Sequence, residues 1–118
     1  MKNTTIIAIN ILKYLAGQRE PVPMKTISAE IAVGRDYVEQ LCRPLREAGL
    51  IYSIQGCKGG VGLGVASLLI TVQHVVDIFE PASPHETEAV AYVKEQIRET
   101  LSDISIYQLT RTSTVTEK

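Results

Sequence analysis

The chain has little of what enzymes and secreted domains usually depend on. Its 118 residues hold two cysteines and two histidines. Two cysteines, Cys42 and Cys57, do not make a disulfide framework in a chain of this kind. His74 falls on the polar side of a short predicted helix, where solvent exposure is its expected role. His85 stands beside Glu86 and Glu88 at a predicted helix start, and an ordinary capping turn explains it better than a metal site. Serine, histidine and aspartate occur, but no local motif joins them into a nucleophilic site, so no enzyme is expected. No apolar run approaches membrane-spanning length. Met1-Lys2-Asn3-Thr4 leads into an amphipathic pattern without a small-residue cleavage site, so no signal peptide is expected and the cytoplasm is the predicted compartment. There is no internal repeat.

Excess charge is also missing, since the net charge is -1. Its distribution is more telling. Residues 1–76 carry eight basic and five acidic side chains, and residues 77–118 carry four and eight. The first part suits a nucleic acid, and the second should face away from one. The length fits one core with room for an extra helix.

What the sequence does have is concentrated between Gly34 and Gly64. A helix is predicted from Asp36, a good cap residue, to Gly49, where glycine tolerates the left-handed conformation. Val38, Leu41, Cys42, Leu45 and Ala48 recur at helical spacing and should face the core. Arg35, Glu39, Gln40, Arg43 and Arg46 lie opposite, and these side-chain types reach base edges and phosphates in a major groove. Pro44 removes one helical hydrogen bond, so a local kink or loosened turn is expected. Ile51-Tyr52-Ser53-Ile54 then suits a strand. Gly56, Gly59 and Gly60 turn the chain with Lys58 at the tip. Helix, strand, basic glycine-rich hairpin and strand is the order of a winged helix-turn-helix. The glycines do not make a nucleotide loop, because neither P-loop nor G-x-G-x-x-G spacing can be read from Gly56 onward.

Around this stretch the chain is mostly helical. Ile6, Ile7, Ile9, Ile11, Leu12 and Leu15 predict a first helix ending near Gly17 and apolar over a wide arc. Pro23 can open a second helix. Met24, Ile27 and Ile31 give that helix its apolar face, ending near Ala32, with Val33-Gly34 as the turn before the reading helix. Val65 to Leu69 is apolar, and packing against the domain is the expectation, with an exposed partner surface as the alternative. Thr71 caps a helix carrying Val72, Val75, Val76 and Phe79, which Pro81 ends. Ser83-Pro84-His85-Glu86 reads as the start of a long helix reaching about Leu101. Val90, Val93, Ile97, Leu101 and Ile104 form a narrow seam of coiled-coil type, which needs a partner helix.

YVEQLCRPLREAGLI, SIQGCKGG and ITVQHVVDIFE resemble the Rrf-two family of bacterial transcriptional regulators, which includes IscR-, NsrR- and CymR-like proteins. The resemblance spans roughly Ile6 to Leu109. Its most specific parts are Tyr37, Glu39-Gln40-Leu41, Leu45 to Leu50, Gly56 and Gly59-Gly60. It implies a dimeric regulator of bacterial cytoplasm that binds double-stranded DNA. It also implies that the long helix pairs with its copy and that LSDISIYQL forms a closing short helix. Three departures matter. Cluster-binding relatives place three cysteines before the long helix, whereas Glu80-Pro81-Ala82-Ser83 has none, so no iron–sulfur cofactor is expected. Asp36 stands where the family often has a small hydroxyl, and Gln55 where it often has a wing arginine. Val61 replaces the usual aromatic after the glycine pair.

The expected fold is therefore mainly α with a small β-wing. A winged helix-turn-helix DNA-binding domain covers residues 1–80, a dimerisation helix and closing helix cover 84–109, and a threonine-rich tail, 110–118, is expected to be disordered. The expected function is a homodimeric repressor reading a pseudo-palindromic operator through the 36–48 helix and the 55–60 wing. Candidate DNA-contacting residues are Arg35, Asp36, Tyr37, Glu39, Gln40, Arg43, Gln55, Lys58, Gly59 and Gly60. Candidate dimerisation residues are Val90, Val93, Ile97, Leu101 and Ile104. Cys42 is expected in the core. Cys57, exposed beside Lys58, is a candidate redox switch, although most such surface cysteines are inert. No metal or other cofactor is expected. The alternative is a protein-interaction module on the same fold that has lost specific DNA reading.

Overall fold

Apolar residues at helical spacing dominate the chain, and helices dominate its fold. The computed structural model describes residues 1–80 and 87–116. Among these the order is α1 (Asn3–Ala16), α2 (Met24–Ile31), α3 (Arg35–Glu47), β1 (Ile51–Ile54), β2 (Gly60–Leu63), a 3-10 turn (Ser67–Leu69), α4 (Val72–Phe79), α5 (Glu88–Ser102) and α6 (Ile106–Thr116). β1 and β2 form an antiparallel hairpin with Ser53 opposite Val61 and Ile54 opposite Gly60. Mainly α with a small β-wing is what the sequence predicts.

α1 is the central post. Ala8, Ile11, Leu12 and Leu15 are buried on it, and it packs against α2, α4, α6 and β2. The wide apolar arc thus has several neighbours within one chain. Its edge is not covered, because Ile6 is 45% exposed. Ile27 from α2, Val38, Leu41, Cys42 and Leu45 from α3, and Ile70, Val75 and Ile106 complete the core.

The helix-turn-helix differs from expectation at its caps. Pro23 occupies the position before α2, not its first turn. Gly34, not Asp36, precedes α3, and Asp36 lies in its first turn, where a carboxylate complements the helix dipole. The other end is as predicted. Gly49 adopts φ +80, Leu50 N–H donates to the Leu45 carbonyl and Gly49 N–H to that of Arg46, both at 3.0 Å. This is the paired closure that a left-handed glycine permits. Ala48 is exposed, off the core face assigned to it. α3 runs through Pro44 without interruption. The carbonyl one turn back belongs to the exposed Gln40, so water can replace the lost partner.

The C-terminal half departs further. The apolar loop does not pack: Val65, Leu68 and Leu69 are 39%, 63% and 66% exposed. Thr71 caps α4 as predicted, and His74 answers it. Thr71 Oγ1 accepts from His74 N–H at 3.3 Å, while His74 Nδ1 accepts from Thr71 N–H at 3.1 Å. His74 is exposed as expected, but its ring closes a reciprocal cap. Pro81 and Ser83-Pro84-His85-Glu86 lie outside the described residues. α5 starts at Glu88, later than expected, with Thr87 Oγ1 accepting from Val90 N–H at 3.2 Å. Ile104 lies beyond the end of α5, and its carbonyl accepts from Val72 N–H at 2.9 Å. It therefore locks the α5–α6 link to α4 and does not continue the seam. α6 extends to Thr116, past the expected closing helix and into the stretch expected to be disordered.

Two long-range ties hold the helices together. Asp77 of α4 accepts from Arg98 of α5 at 2.9 and 3.1 Å, and from Gln73 at 2.7 Å. Burial pushes the Asp77 carboxyl up, but the Arg98 and Gln73 hydrogen bonds outweigh it and hold the carboxyl below its ordinary range. α1 has no side-chain cap of its own. Glu80 supplies one from the far end of α4, accepting from Lys2 N–H at 2.9 Å and from the fully buried Thr5 Oγ1 at 2.5 Å. The Thr5 hydrogen bond, with help from Lys2, holds the Glu80 carboxyl below its ordinary 4.5. A lowered carboxyl stabilises the fold above the ordinary range, and that contribution is lost as pH falls through the lowered value. Glu80→Gln is therefore expected to lower the melting temperature at pH 7, with the gap from wild type closing in acid. A gap that persists undiminished in acid would show that charge is not what Glu80 contributes.

Candidate nucleic-acid interface

α3 and the hairpin meet along one groove. Arg35, Glu39 and Arg46 line it from the helix, and Gln55, Cys57 and Gly60 from the wing. Burial of Val38, Leu41, Cys42 and Leu45 fixes the rotation of α3, so the residues between them must point outward. Arg35, Asp36, Gln40 and Arg43 are accordingly exposed, as are Gln55, Cys57 and Lys58 on the wing. Arg35 thus lines the groove, and the basic side chains of Arg43 and Lys58 are exposed on the helix and the wing that form it.

Four of the predicted contact residues, Tyr37, Gly59, Gly60 and Glu39, are engaged within the chain. Tyr37 is half-buried and packs against the core. Gly59 and Gly60 are required by the backbone. A Cβ at Gly59 would come within 2.0 Å of the Ile54 carbonyl oxygen, and one at Gly60 within 2.6 Å of the Val22 backbone. That closeness exists because Val22, before α2, pairs with Val61 of β2 through two hydrogen bonds of 2.8 Å. Val61 itself is 3% exposed. A small side chain there fits a position inside the core.

Glu39 is not paired with Arg43 one turn on. Its carboxylate faces Arg46, two turns along, at 3.3 and 3.5 Å, and Arg46 Nε donates to Ser53 Oγ on β1 at 2.8 Å. The sequence places Arg46 on the outer face but gives no sign of the tie to Ser53, because the partners meet only once the hairpin folds back on α3. Of the seam residues, Val90, Val93 and Ile97 are 46%, 54% and 50% exposed, on an α5 with no buried residue. Leu101 is half-buried. The seam and the groove belong to separate surfaces. Among the described residues, no helix is long and apolar enough to cross a membrane.

Comparison with known proteins agrees with this layout. The family model Rrf2, described as an iron-dependent transcriptional regulator, matches residues 1–105. The chain is 40% identical over 62 residues to the HTH-type transcriptional regulator IscR of Vibrio cholerae, covering 52% of this chain and 36% of that protein. It is 40% identical over 67 residues to the HTH-type transcriptional regulator CymR of Bacillus subtilis, covering 56% and 49%. The match thus spans about a third to a half of these relatives' length. Among solved structures, CymR (YrzC), the global cysteine regulator of B. subtilis, superposes with a TM-score of 0.84 at 27% identity, over 95% of this chain and 96% of that one. IscR of T. potens shares the fold, with a TM-score of 0.82 at 24% identity over 96% and 87%.

The iron dependence in the family description can be tested on the donors present. Clusters are held by thiolates. Cys42 is fully buried in the core, and burial, with the Glu39 carboxylate adding to it, pushes its thiol up to about 11. Cys57 stands on the wing, and Cys42 and Cys57 are the only cysteines in the chain. Among the described residues, no three histidine, cysteine or acidic side chains gather to hold a metal ion. The residues of this chain do not fit a cysteine-held cluster. With a family model matched over residues 1–105 and the fold shared over 95% of the chain with a solved regulator, the chain belongs to the Rrf2 family of winged-helix transcriptional regulators.

Proposed function

We propose that the chain is a homodimeric DNA-binding transcriptional regulator that reads a pseudo-palindromic operator, one α3 per half-site, with the wing beside it. The observation that carries this reading is the outward face of α3, with Arg35, Gln40 and Arg43 exposed, set against a wing that presents Lys58. Two copies of α5, joined along Val90, Val93, Ile97 and Leu101, would set the spacing of the two reading helices. Occupying an operator is enough to block transcription, so repression is the mode that needs no further contacts. The protein works in the bacterial cytoplasm, where its DNA is.

Binding to random duplex over a series of salt concentrations tests this. A protein that neutralises phosphates loses affinity steeply with salt. A flat, negligible response would favour a protein-interaction module instead, for which the exposed Val65, Leu68 and Leu69 offer a surface. Two substitutions separate the roles at the interface. Lys58→Ala is expected to weaken binding to all duplexes alike and to lower the salt slope by about 0.9. Glu39→Ala is expected to relax sequence preference at one position per half-site, since a carboxylate accepts from cytosine N4 and repels base acceptors. A uniform loss of affinity with unchanged preference would make Glu39 a structural residue only.

A further inference from the structure

We infer that Arg46 is a positioning residue for DNA reading: it fixes the Glu39 carboxylate and the wing strand relative to α3 and does not bind a phosphate. The inference rests on the function proposed above. An arginine that lines a groove proposed to face DNA would ordinarily be assigned to the DNA backbone. The geometry of this one says otherwise. Its Nε donates to Ser53 Oγ at 2.8 Å, and its two terminal nitrogens lie 3.3 and 3.5 Å from the two Glu39 oxygens. The guanidinium is thus directed into the protein along one edge and toward a carboxylate along another, an arrangement that a planar fork can make and an ammonium cannot.

The consequences run both ways from Arg46. Glu39 and Arg46 are seven residues apart, about two helical turns, so the ion pair lies along the face of α3. A glutamate left free there would sample several rotamers, and ordering it on binding would cost entropy. Held by Arg46, its acceptors are already placed, as a specific contact requires. On the other side, Ser53 faces Val61 across the hairpin, and Val61 is bridged to Val22. The strand that Arg46 holds is therefore coupled to the chain entering α2. An exposed ion pair alone would contribute little. The 2.8 Å bond to Ser53 is what turns this one into a brace between helix and wing.

Two measurements test the brace. In the free protein, amide exchange at Gly59 and Val61, whose N–H groups donate to Gly56 and Val22, is expected to quicken several-fold in both Arg46→Ala and Ser53→Ala. Arg46→Lys should not restore it, and amides of α1 should be unchanged. With DNA, the preference for an operator over its single-position variants is expected to fall about three- to tenfold in Ser53→Ala, as for loss of one ordinary, partly exposed hydrogen bond. Arg46→Ala should lose at least as much, and the double variant no more than Arg46→Ala. Ser53→Ala leaves the charge untouched, so its salt slope should equal the wild type's. Unchanged wing exchange, or losses in the two variants that multiply, would overturn the inference. So would a slope lowered by about 0.9 in Arg46→Ala with its preference intact, which marks a phosphate contact. A wild type without salt-dependent duplex binding overturns the proposed function and the reading role together. The exchange data alone then decide whether Arg46 braces the wing.

Discussion

Val93→Lys together with Ile97→Lys is expected to give a monomer on sedimentation and to abolish tight operator binding. In the single chain these side chains are 54% and 50% exposed, next to Val90 at 46%. α5 is tied to the rest of the chain by the Arg98–Asp77 pair on a different side of the helix. Among the described residues, nothing covers the apolar seam. Full burial of such a side chain is worth about 1.5–3 kcal/mol, of which about half remains to be gained at Val93 and Ile97, and a symmetric pairing of α5 buries each twice, once per copy. Lysines at both positions replace that gain with charges facing charges, a change of several kcal/mol and hence of more than a thousandfold in the dimer constant. The helical circular dichroism should survive, because the altered side chains are not part of the core. Loss of the dimer would leave one α3 per molecule and remove the avidity of two half-sites. A double variant that remains dimeric would place the interface elsewhere.

Gly60→Ala is expected to be a strongly damaging small substitution in the wing. Its Cβ would lie 2.6, 2.7 and 2.9 Å from three backbone atoms of Val22. Backbone cannot swing aside as a side-chain end can, so the Val22–Val61 bridge must open. Overpacking of this kind costs about 1–3 kcal/mol, and each lost hydrogen bond about 0.5–1.5 kcal/mol. The expected loss of stability is therefore about 2–6 kcal/mol in chemical denaturation. Duplex binding should fall even where the protein is still folded, because the wing no longer lies beside α3. Gly34→Ser is the control. A Cβ there meets nothing within 4 Å, and a serine hydroxyl at this helix cap is expected to be neutral or slightly stabilising. Comparable damage from both substitutions would show that close approach at Gly60 is not the reason for glycine.

Local patterning made much of this legible in the sequence. The burial of Val38, Leu41, Cys42 and Leu45, the stop at Gly49 and the hairpin around Gly56 to Gly60 all follow from periodicity and backbone freedom. These are properties of neighbouring residues. What could not be read depends on segments far apart in the chain. The Glu80 cap on α1 joins positions 78 residues apart, and nothing near either end announces it. The Arg46–Ser53 brace needs the hairpin to fold back. Gly59 and Gly60 were legible as turn residues, but their tight packing was not, because Val22 gives no sign of joining β2. Spacing carries the seam through Ile104, since spacing alone does not show where a helix ends. A turn at Asp103, whose N–H reaches the Thr100 carbonyl at 3.1 Å, takes Ile104 off the helix. Apolar composition was equally ambiguous at Val65 to Leu69, because hydropathy cannot distinguish a packed loop from an exposed one.

Selection of bound sequences from a random duplex pool tests the central claim most directly. A dimer reading with two copies of α3 should enrich sequences with two related, inverted half-sites, their centres about one helical turn of 10–10.5 base pairs, or a multiple of it, apart. Enrichment of a single asymmetric site, or no enrichment over the starting pool, would contradict it.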